Sequence, residues 1–156
     1  MSTDNANNTS EARFAAVKAL YSKEITPNKK TEALMRDTLL YYQEYQDDVG
    51  AKTLDKKFFK TLIEGVFSNL VVIDERITRH LDKGWKFERI GTVIVAILRL
   101  STFELLHYKK TPFRVVIDEY VHITASYFDD DEVSFVNAIL DKIASEVRDD
   151  KRDHVT

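Results

Sequence analysis

Apolar residues in this chain recur every three or four positions, the period of a helix that buries one face. Phe14, Val17, Leu20 and Tyr21 predict a first helix from about Ser10, as N-cap, to Lys23, ended by Thr26-Pro27-Asn28. Leu34, Met35, Thr38, Leu39, Tyr42 and Tyr45 share one side of a second helix over about 30–46, followed by a loop around Gly50. The stripe of Phe59, Leu62, Ile63, Val66, Leu70, Ile73, Ile77 and Leu81 predicts one long third helix over about 55–81. Its run Leu70-Val-Val-Ile73 suits a strand, but the helical period passes through it unbroken.

After Lys83-Gly84-Trp85 the pattern restarts. The segment from about Phe87 to Tyr108 is apolar on nearly all sides, as expected of a helix at the centre of a bundle. Thr111-Pro112 reads as an N-cap with proline at the first helical position, opening a helix to about Phe128 on Val116, Tyr120, Ile123 and Tyr127. The acids Asp129, Asp130, Asp131 and Glu132 precede a last helix striped by Val136, Ile139, Leu140, Ile143 and Val147. At a helix N-terminus the macrodipole favours them. The expected fold class is all-α, about six to seven helices in two packed subdomains. The divisions fall as a disordered arm over 1–9, an N-terminal subdomain over 10–83, a C-terminal subdomain over 84–150 and a tail over 151–156.

Composition supports this and narrows the chemistry. The chain has 156 residues, 4 Gly and 2 Pro, too few breakers for the tight turns of a strand-rich domain. It has no Cys, which removes disulfides, thiolate metal sites and cysteine nucleophiles, and suits a cytoplasmic protein. The polar N-terminus does not resemble a secretory signal, and the apolar run at 90–106 is interrupted by Arg99 and Glu104. A net charge of −3 argues against a broadly basic nucleic-acid surface and leaves room only for a local patch or a cationic partner.

Two Glu-x-x-His units, Glu104 with His107 and Glu119 with His122, carry the spacing of a di-iron carboxylate bundle. Pro112 forces a turn between them, and the third and last helices bring no carboxylate on their apolar stripes, so coincidence is favoured. There is no glycine-rich phosphate loop and no nucleophile elbow, and His80 and His154 have no evident nucleophile nearby. No catalytic residue, metal or cofactor is expected.

Three C-terminal strings, in order, add a different kind of information. Residues 96–106 read AILRLSTFELL, residues 111–120 read TPFRVVIDEY, and residues 134–141 read SFVNAILD. Together with the opening ARFAAVKALY at 12–21, the stretch Phe59–Gly65 and Trp85, they resemble the NusB family nearly from end to end. The resemblance implies a non-enzymatic transcription antitermination factor. Such a factor binds boxA RNA with NusE, a small-subunit ribosomal protein, and joins elongating RNA polymerase, notably on ribosomal RNA operons. It further implies RNA-facing roles for Arg13, Lys18, Tyr21, His80, Tyr127, Asp131 and Phe135, the two cations on phosphate and the aromatics stacked on bases.

Some positions depart from the family pattern. Thr9, Ser10 and Glu11 stand where the family carries arginines, so RNA affinity should be weaker and less sensitive to salt. Asp118 and Tyr120 stand in the usual INEAV string, and Ala138 replaces the glycine of FVNG. Ile94-Val95 replaces a charged pair, and apolar side chains exposed there would mark a face for a homodimer. Alternatives are an interaction module of the same fold with little RNA binding of its own, or a small di-iron enzyme.

Overall fold

The computed structural model describes residues 3–49, 54–82 and 89–150, with side chains from residue 8 and, in the second helix, as far as Tyr42. Among these residues there are seven helices and no strand: α1 (Thr3–Ile25), α2 (Thr31–Val49), α3 (Lys56–Ser68), α4 (Leu70–Thr78), α5 (Thr92–His107), α6 (Phe113–Tyr127) and α7 (Asp130–Val147). None of them is long and apolar enough to cross a membrane. The chain forms two compact units, residues 1–65 and 66–156.

In the first unit, α1 and α2 pack together, burying Ala12, Ala15, Ala16, Ala19 and Leu20 of α1 and Leu34 and Met35 of α2. The small alanines leave α1 without bulk on this face, so a neighbouring helix can approach closely. Helix α1 begins at Thr3, so residues 3–9, read as part of an arm, are helical, and Ser10 lies inside a helix rather than capping one. Asp55 opens α3: its Oδ1 accepts the Phe58 backbone N–H at 3.0 Å, satisfying a donor that the first turn leaves unpaired.

The expected third helix is two. Asn69 leaves helical geometry (φ −123°, ψ 22°), its N–H bonding Val66 at i−3, and α4 starts at the next residue. Val66, Ile73 and Ile77 are all fully buried, so the apolar stripe stays in phase across a break that periodicity alone cannot register. The boundary between units falls beside this segment, between Gly65 and Val66, whereas the sequence placed the seam near Gly84. Gly84, Trp85 and Phe87, used to mark that seam and the next helix, lie outside the described residues, as do the Gly50 loop and the tail over 151–156.

The second unit is built around α5, which packs against α4, α6 and α7. It buries an almost continuous run from Ile94 to Leu105, as its all-round apolar sequence requires. Gly91 precedes it at φ +100°, a backbone conformation that side chains resist and glycine accepts. Ile94 and Val95 face this core and are buried. The expected homodimer face therefore loses its two marker residues: packing against α5's neighbours, not self-association, explains why they are apolar.

Helix α6 starts one residue later than expected. Pro112 is its N-cap, and the Phe113 N–H is accepted by Asp150 Oδ2 at 3.0 Å from beyond the end of α7. The acids Asp130, Asp131 and Glu132 occupy the first turn of α7, where the dipole favours them.

Candidate nucleic-acid interface

Three expected RNA-facing residues lie on α1. Tyr21 is 37% exposed. Lys18 is half-buried, its Nζ 5.1 Å from the Tyr41 ring centroid and 5.6 Å from that of Tyr42, so its charge is held by aromatic faces near the surface. Arg13 is different. Its side chain is buried and its guanidinium lies 5.2 Å over the Phe58 ring, pinning α1 to α3. The helix thus presents Lys18 and Tyr21 toward the surface and turns Arg13 inward.

The remaining four lie in the second unit, at two places. His80 follows α4, with Nε2 3.0 Å from Glu146 Oε1 of α7. Arg76 donates to the same oxygen at 3.0 Å, and Arg79 lies 3.6 Å from Oε2. Burial pushes the Glu146 carboxyl up, but the contacts with His80 and Arg76 outweigh it, and the pKa lies below the usual carboxylate range. His80 is therefore mostly covered, a link between α4 and α7.

The second place is the α6–α7 corner. Tyr127, 41% exposed, ends α6 with its ring 6.3 Å from that of Phe128. Asp131 and Phe135, one helical turn apart on α7, line a cleft of about 320 Å³ with Glu132, Arg89, Ile90 and Ile94. Arg89 went unnoticed in the sequence because nothing local marks it; only folding brings the start of α5 beside the start of α7.

The Glu-x-x-His units do not converge. Glu104 is fully buried and accepts the Tyr120 hydroxyl at 2.5 Å, while His107 and His122 are exposed. Among the described residues no group of three His, Asp or Glu side chains is placed to hold a metal. Arg99 of α5 makes a two-pronged bond to Asp74 of α4, both at 2.9 Å.

Arg148 also escaped sequence reading. It is 1% exposed, and its guanidinium donates to the carbonyls of Leu105 (2.7 Å), Tyr108 (2.7 Å), Thr111 (2.8 Å) and Glu104 (3.3 Å). Those carbonyls end α5 and line the turn after it, where helical partners run out. Buried arginine and Asp150 together fix the loop from α5 into α6.

Fold and surfaces define a small all-α protein of two helical units, with cations and rings presented at helix faces and ends. The NusB family model matches residues 10–145. The transcription antitermination protein NusB of Caulobacter vibrioides is 38% identical over 143 residues, covering 90% of this chain and 94% of that protein. The solved structure of T. maritima NusB superposes with a TM-score of 0.76 at 34% identity, covering 92% of this chain and 96% of that one. A chain in a crystal structure of a plectonemic RNA supercoil gives a TM-score of 0.73 at 26% identity, covering 88% and 94%. The chain belongs to the NusB family.

Proposed function

We propose that this protein is a transcription antitermination factor that binds boxA-type single-stranded RNA together with NusE. In this role it joins the elongating RNA polymerase complex, above all on ribosomal RNA operons, and works in the cytoplasm as a binding protein without catalysis. The observation that carries the reading is the family match across residues 10–145, which spans both helical units.

Within this reading Lys18 meets phosphate and Tyr21 stacks on a base from α1. At the other surface Tyr127 and Phe135 stack, and Asp131 accepts a hydrogen bond from a base edge. His80 contributes from the end of α4. Arg13, buried over Phe58, acts by holding α1 in place. With Thr9, Ser10 and Glu11 in place of arginines, few phosphate contacts remain, and NusE carries a large part of the affinity.

A gel shift with boxA RNA, run with and without purified NusE, tests this. Weak binding by the chain alone and tight binding by the pair is expected. No shift in either lane would sink the proposal.

A further inference from the structure

The first unit carries a groove of about 860 Å³ between α2 and α3. Met35, Leu39 and Leu40 of α2 give it an apolar wall, and Leu40 is 51% exposed there. Its rim is cationic. Among the described lining residues, Lys56, Lys57 and Lys60 of α3 and Arg36 of α2 outnumber two carboxylates, Glu32 and Glu64, and Arg36 lies 4.0 Å from Asp37 beside the groove. Among the described residues no carboxylate forms an ion pair with any of these three lysines. In a chain of net charge −3, this is a local concentration of positive charge against apolar surface.

We propose that this groove docks one acidic amphipathic α-helix of a protein partner. A trough between two helices suits a third helix laid along it, with apolar anchors spaced i, i+4 and i+7. From Glu32 to Leu40 the wall rises about 12 Å, room for roughly two turns of guest. The lysine rim selects glutamate and aspartate on the flanks of that guest and steers its approach. Single-stranded RNA fits less well, because stacking needs an exposed ring and Phe59, the groove's one aromatic, is fully buried. A second copy docking face to face would set lysine rim against lysine rim.

The test titrates the full 15N-labelled chain with a synthetic helix carrying leucine at i, i+4 and i+7 and glutamate on its flanks. The same peptide with lysine flanks, and poly(U), serve as comparison probes. Amide shifts confined to residues 32–40 and 56–64 with the glutamate peptide are expected, with the lysine peptide at least about tenfold weaker. The K56E/K57E/K60E variant should weaken the glutamate peptide by a similar factor while keeping its circular dichroism and its boxA gel shift. If that variant fails to fold, K56Q/K57Q/K60Q replaces it with the same expectation. Equal binding of both peptides, no localised shifts, or tighter binding of poly(U) at these residues overturns the proposal. So does a concentration-dependent dimer in sedimentation that L40E abolishes.

Discussion

Tyr120 of α6 donates its hydroxyl hydrogen to Glu104 Oε2 of α5 at 2.5 Å, and both side chains are fully excluded from solvent. Glu104 therefore holds the central helix to its neighbour. One of the two glutamates in the pattern that suggested iron is thus engaged in a buried structural hydrogen bond.

Replacing Tyr120 by Phe removes the donor of this buried hydrogen bond. Such a loss costs about 1–3 kcal/mol. At this chain length each kcal/mol is worth roughly 2–4 °C of melting temperature. Thermal unfolding followed by circular dichroism should show that fall, and an unchanged melting temperature would mean the bond contributes nothing.

Arg148→Met should be the more damaging change. It removes donors from four carbonyls at the end of α5 and in the turn after it, although it also relieves the cost of burying a charge. The net loss expected from urea unfolding is about 3 kcal/mol or more. Arg148→Lys should recover only part of it, since an ammonium cannot spread donors over four acceptors.

Gly91→Ala meets open space but the wrong backbone, because φ is +100°. A penalty of about 1–3 kcal/mol follows from strain alone. A stability equal to wild type would show that α5 can begin with a different turn.

The Glu146 pKa is held below its ordinary value in the folded state, net of a burial effect that raises it. In the pH range between folded and unfolded pKa values the unfolded chain binds more protons, so stability rises with pH. The contribution is complete above the unfolded value near 4.5 and fades as pH falls through the folded one. Glu146→Gln should flatten the stability profile in that acidic window, with Arg76 and His80 losing their shared partner. A profile as steep as wild type would assign the slope to other carboxyls.

Tyr127→Ala tests the α6–α7 corner as an RNA surface. Loss of one stacked base costs about 1–3 kcal/mol, a weakening of roughly five- to 150-fold in RNA titrations with NusE present. Unchanged affinity would remove Tyr127 from the interface.

Helix type and core membership were legible because both follow from spacing. The stripe through Val66, Ile73 and Ile77 is buried as its period demands, and the nearly continuous apolar run of α5 lies at the centre of its unit. Boundaries were less legible. Asn69 breaks a helix without moving the stripe out of phase, and α1 extends through residues 3–9, polar but for Ala6 and so without a periodic apolar signal.

Site residues divide along the same line. Sequence resemblance picked out Lys18, Tyr21 and Tyr127, which the fold leaves at the surface, and equally Arg13, which it buries over Phe58. Spacing determined the all-helical architecture, since each helix writes its apolar face into consecutive residues. Tertiary structure alone decided what distant polar groups do: that Arg148 ends α5, that Arg99 grips Asp74 and that Glu104 answers Tyr120. These partners lie 16 to 44 residues apart along the chain, and no local pattern encodes a contact that exists only once the helices have packed.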